Sequence, residues 1–73
     1  MIIFTVEAIT GYETNHIIYV GNDRDIAFDI GKIVDIQKKE NEPLIDNVND
    51  AYCFDVKEWE NGRIVKQHMI NAE

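Results

Sequence analysis

Serine is missing from this chain altogether, and cysteine, proline and tryptophan appear once each, as Cys53, Pro43 and Trp59. Without serine there is no serine nucleophile. A single cysteine cannot close an intramolecular disulfide, which points to a reducing compartment. The four glycines, at positions 11, 21, 31 and 62, are too scattered to build a phosphate-cradling loop. No run approaches the roughly 20 apolar residues of a membrane-spanning helix, and no signal-peptide pattern opens the chain. The expectation is a cytoplasmic protein with no membrane partner. At 73 residues it has room for a single domain, residues 1–73, with a modest core and a thin margin of stability.

Cations are the other scarcity. Seven Lys and Arg stand against fourteen Asp and Glu, a formal net charge of −7. A nucleic-acid duplex would be repelled by such a surface, so direct nucleic-acid binding is not expected. The acidity suits a basic protein partner and equally serves solubility. Isoleucine occurs twelve times and leucine once, at Leu44, a usage typical of AT-rich coding sequences that carries no chemistry.

What is present is patterned. "MIIFTVEAIT" alternates as a strand, with Ile2, Phe4, Val6 and Ala8 on one face and Ile3, Thr5, Glu7 and Ile9 on the other. "GYETN" reads as a turn and "HIIYV" as a second strand, hairpinned to the first. Ile17 and Ile18 side by side leave its register open. Asp23 offers an N-cap for a helix over roughly 23–39, in which Ile26, Ile30, Ile33 and Val34 form an apolar stripe flanked by Ala27 and Ile36. Lys38 and Lys39 suit the negative end of its dipole. "ENEPLIDNVND" is an acidic loop of about eleven residues, long for a small domain, that Leu44, Ile45 and Val48 would pin to the core.

Asn61-Gly62 marks a type I′ turn closing a second hairpin over 51–70. A regular ladder from that turn pairs Glu60 with Arg63, Trp59 with Ile64, Val56 with Gln67 and Phe54 with Met69. One face then carries Tyr52, Phe54, Val56, Val65 and Met69 under the helix. The other carries the pairs Trp59–Ile64, Lys57–Lys66, Asp55–His68 and Cys53–Ile70. The expected fold class is α+β: a four-stranded antiparallel sheet from two hairpins, with one helix on one face.

Cys53, His68 and Asp55 have the residue types of a thiol-based catalytic set. In this register they stand on adjacent pleats of an open sheet, with no cleft to exclude water and no oxyanion donors, so a surface Asp55–His68 pair is expected and no catalytic residue is assigned. The acids of "ENE" and "DNVND" do not fall at calcium-loop positions: Val48 occupies a ligand position and the required glycine is missing. His16 and His68 are not at ligand spacing. No metal or cofactor is expected.

Phe28 falls on the polar side of the proposed helix beside Arg24, Lys32, Asp35 and Lys39, with Gly31 as a notch one turn on. That pair is either a docking point for a partner or a spot covered by the chain's own second hairpin or loop. Trp59 with Ile64, near the hairpin tip, is the second candidate anchor. The strand ending "IIYVG", the acid-capped helix and the aromatic strand "AYCFDVKEWENG" together resemble the small strand-strand-helix-strand-strand proteins common in phage and mobile-element genomes. The resemblance implies an accessory protein without implying a mechanism. The same element order occurs in swapped-hairpin DNA-binding dimers, which are basic on the working face where this chain is acidic.

The expected function is non-enzymatic protein–protein interaction, as a homodimer or with another protein. Ile3, Ile9, Trp59, Ile64, Cys53 and Ile70 would face away from the helix and supply the contact, with Lys57 and Lys66 as the opposing charge. The alternative is an acidic inhibitor of a host enzyme that imitates nucleic acid through the carboxylates of residues 40–50. Charge reversal of Glu40, Glu42, Asp46 and Asp50 separates the two. Under mimicry it abolishes capture of a partner from a bacterial lysate, and native binding weakens steeply with salt. Capture that survives both treatments excludes mimicry.

Overall fold

The computed structural model describes residues 1–11, 16–40 and 51–72. Of the expected turn at 11–15 only Gly11, with φ 81°, is described, and of the expected acidic loop at 40–50 only Glu40, which the helix takes in; Leu44, Ile45 and Val48 lie outside the described residues. The order is β1 (Ile3–Ile9), β2 (His16–Gly21), α1 (Arg24–Ala27), α2 (Ile30–Glu40), β3 (Cys53–Glu60) and β4 (Arg63–Asn71). All four strands pair antiparallel in one sheet, ordered β2-β1-β3-β4. The α+β architecture read from the sequence is the one observed.

β1 alternates as its sequence demands. Phe4, Val6 and Ala8 are buried on the helix side, and the partners of this row on β3 are Glu58, Val56 and Phe54. Ala27 and Ile33 close the core from the helices, with Ile26, Phe28, Ile30 and Val34 packed around it. Asn61 and Gly62 both take positive φ, 54° and 77°, as a type I′ turn requires, and the turn sets Trp59 opposite Ile64 and Glu60 opposite Arg63.

Beyond that pair the regular ladder ends. The register shifts between Glu58 and Trp59, so that Glu58 faces Lys66, Val56 faces His68, Asp55 faces Met69 and Phe54 faces Ile70. Val65 is the additional residue of a β-bulge, and one inserted residue exchanges the faces of everything after it. Four expectations are corrected together. Val65 and Met69 are exposed outside the core. His68 and Ile70 belong to the helix side. Lys66 leaves the face of Lys57. Tyr52, expected in the core, is also exposed.

β2 is bulged as well. Val6 pairs with Tyr19 and Glu7 with Ile17, leaving Ile18 additional, which resolves the ambiguity of two adjacent isoleucines. Ile18 is buried, and its carbonyl accepts a hydrogen bond from Gln37 Nε2 at 3.2 Å. Gln37, itself buried on α2, fastens the bulge to the helix. Tyr19 turns its ring over Gly21, where a Cβ would come within 2.5 Å of the phenol oxygen, and that oxygen accepts from the Asp23 amide.

The helix expected over 23–39 is two helices. Asp23 caps α1 by accepting from the amides of Asp25 and Ile26. Phe28 ends α1, and Asp29 Oδ1 accepts from the Lys32 amide at 3.2 Å, a second N-cap that starts α2. Gly31 therefore lies in the first turn of α2 and not in mid-helix, where its cost would be larger. Asp29→Ala should lower stability by about 1 kcal/mol in urea unfolding, the usual cost of a lost cap. In a continuous helix the same change would be neutral or stabilising, because alanine is the better helix former.

Candidate functional site

Two polar clusters lie on opposite faces of the sheet. The one on the helix side centres on Glu58, a residue 5 % exposed that projects from the row of Phe54 and Val56. A buried charge persists only with partners. Glu58 has two, both at Oε2: His68 Nε2 at 2.7 Å from β4, and Arg24 Nη1 at 3.4 Å from the first turn of α1. The His68 hydrogen bond, followed by the Arg24 charge, holds the Glu58 carboxyl below the ordinary glutamate range, against the opposing effect of burial.

Phe28 completes this cluster. Its ring meets His68 edge-on at 5.0 Å and Phe4 at 6.3 Å, and the Arg24 guanidinium lies 4.7 Å from its centroid. The break after Ala27 turns Phe28 off the polar side of the helix and onto the second hairpin, so its contacts are with its own chain. Gly31 is exposed, and the nearest atom to a Cβ there is the Asp29 cap.

The open side has the inverse layout, a polar centre with an apolar surround. Lys57 Nζ lies 3.2 Å from Glu7 Oε1 and 3.3 Å from Asp55 Oδ2. Gln67 Nε2 donates to both oxygens of the buried Asp55, and Trp59 Nε1 donates to Thr5 Oγ1 at 2.9 Å. The Glu7 hydrogen bond, then Asp55, raises the Lys57 ammonium above the ordinary lysine range despite partial burial. Around this centre stand Ile3, Ile9, Ile17, Val20, Trp59, Ile64 and Met69, assigned to this face by the observed registers.

The structure dismantles the Cys-His-Asp set. Cys53 is buried and, with Asp55, lies on the open side, whereas His68 is across the sheet with Glu58. The expected Asp55–His68 pair is replaced by Asp55–Gln67 and Glu58–His68. Trp59 and Ile64 do stand together on the open face, Ile64 about half exposed. Among the described residues, no group of three or more His, Cys, Asp or Glu is placed to hold a metal ion. A recess beside Ala51, Tyr52, Asn71 and Ala72 offers one titratable group, the tyrosine phenol.

Glu58 and Gln37 were not among the residues singled out from the sequence. The alternation Phe54-Val56-Glu58 was a usable signal for the first, since it carries a charge into the core row and calls for cations nearby. No family model, no curated protein and no solved structure matches this chain.

Because the Glu58 carboxyl is held low in the folded state, its contribution to stability is present above the unfolded glutamate value and is lost as pH falls through the folded one. Urea titrations across the acid range should therefore show wild type losing stability below about pH 4.3 more steeply than Glu58→Gln. Equal slopes would remove Glu58 from the acid response.

Proposed function

We propose that this protein is a non-enzymatic interaction module that pairs with a second copy through the open face of its sheet. The observation that carries the reading is the exposure of large apolar side chains on that face: Ile17 at 53 %, Val20 at 63 %, Ile64 at 48 % and Met69 at 57 %. An antiparallel sheet with one solvated face is ordinarily polar there, whereas here large apolar groups on both edge strands flank a small polar centre, a distribution that suits an interface. Two-fold pairing buries one patch twice.

The charge that opposed such a dimer is reduced. Lys66 lies on the other face opposite Glu58, and Lys57 meets Glu7 and Asp55 of its own chain. The polar centre thus reaches the interface already paired. Separation of the thiol from the imidazole favours binding over catalysis as the role. On this reading the protein is a phage-type accessory protein of the cytoplasm.

Sedimentation equilibrium or light scattering at micromolar concentration tests the pairing. Wild type should be a dimer, and Trp59→Glu with Ile64→Lys should weaken association at least about thirtyfold, the loss expected for one central anchor. A wild-type monomer at every concentration refutes it. A dimer that persists in the double variant places the contact elsewhere.

A further inference from the structure

β4 is nine residues long and ends the strand order, so its outer edge pairs with no described strand. Such an edge presents main-chain donors and acceptors to any extended segment that can align with it. β2, the opposite edge, has six residues, and Gln37 already takes the carbonyl of its bulge.

The charge of β4 is unlike that of the rest of the chain. Residues 61–72 contain no acid, in a sequence with fourteen, and they include Arg63, Lys66 and His68. In a regular strand Arg63 would face away from the other two. The bulge at Val65 brings them into line: Arg63 stands opposite Glu60 and Lys66 opposite Glu58, and those two acids share the helix side of β3. Ile64, Gln67 and Met69 occupy the other face. β4 therefore has a cationic row and a mainly apolar row along its free edge.

Both Arg63 and Lys66 are exposed, and neither makes an ion pair or side-chain hydrogen bond among the described residues. Glu58, the acid across from Lys66, makes its close contacts with Arg24 and His68, and Lys66 acts on it only through space, which leaves the ammonium's hydrogen-bonding capacity unused among the described residues. A segment carrying carboxylates on one face and apolar side chains on the other would complete what this edge leaves open.

We propose that the free edge of β4 binds an extended acidic segment of another protein, added beside the four-stranded sheet as a further strand. Its carboxylates lie along Arg63 and Lys66, and its apolar side chains lie along Ile64 and Met69. Main-chain hydrogen bonds hold the segment, and the alternation sets which face it presents. A second copy of β4 is a poor occupant. With the helices of both copies on one side, symmetric pairing would bring the two cationic rows together on one face, and like charges across a ladder repel. The main-chain edge is distinct from the open face, but Ile64 and Met69 contribute to both, so peptide binding is measured at a protein concentration below that at which the chain self-associates.

The probe is a capped peptide of about eight residues that alternates valine and glutamate, matched with an isomer holding the same residues in two blocks. Fluorescence anisotropy should show the alternating peptide binding more tightly than the block isomer, and more weakly as salt rises. Amide exchange read by NMR should slow along β4. Arg63→Glu with Lys66→Glu should weaken binding roughly tenfold, as expected when two surface charge contacts become repulsive. Arg63→Gln with Lys66→Gln should show a smaller loss, which guards against a folding effect of the reversal. Equal binding by the block isomer, protection away from β4, or no binding of either peptide would overturn the proposal. So would β4 protection that rises with protein concentration in the absence of peptide, since the occupant would then be the chain itself.

Discussion

A buried carboxylate on the apolar side of the sheet is the constraint on which this structure turns. Glu58 continues the row of Phe54 and Val56, and a charge there is tolerable only with close charged or hydrogen-bonding partners. Arg24 comes from α1 and His68 from β4, so one oxygen atom ties together three elements far apart in sequence. The bulge at Val65 follows from the same need. In a regular ladder Glu58 would face Val65, and His68 would point to the other side. With the bulge, Lys66 stands across from the carboxylate and His68 reaches it at 2.7 Å.

The break between the two helices belongs to the same arrangement. One continuous helix would carry Phe28 away from the sheet. Ending α1 at Phe28 lays that ring between Phe4 and His68 and under the Arg24 guanidinium, where it packs against both partners of Glu58. Asp29 makes the break inexpensive by capping α2 as soon as α1 has ended. On the open side the order of polarity is reversed, with Lys57, Glu7, Asp55 and Gln67 satisfied among themselves at the centre and apolar groups around them. In that arrangement the polar groups are mutually committed and the edge apolar groups stay exposed.

Both edge strands are bulged, and the two bulges have different consequences. In β2 the additional residue, Ile18, goes into the core, and Gln37 satisfies its carbonyl while its own buried Oε1 has no partner among the described residues. In β4 the additional residue, Val65, stays in solvent and realigns the cations on either side of it. The first bulge anchors an edge to a helix. The second gives two chemically distinct faces to an edge that no described strand covers.

Period-two alternation in β1, the Asn61-Gly62 turn and the cap at Asp23 were legible from the sequence alone, because each rests on the preferences of neighbouring residues. Alternating polarity selects a buried face, positive φ selects Asn-Gly, and a carboxylate accepts from amides two and three residues on. The α+β class and the two hairpins follow from these. The tertiary structure alone decided the register beyond Trp59, the division of the helix at Phe28 and the faces of Cys53, His68 and Ile70. An inserted residue changes no local preference, and Asp29 is as acceptable on the exposed side of one helix as at the start of another. Those choices were settled across the fold, where a carboxylate on a buried row had to find partners from two other elements and an aromatic ring packed against them.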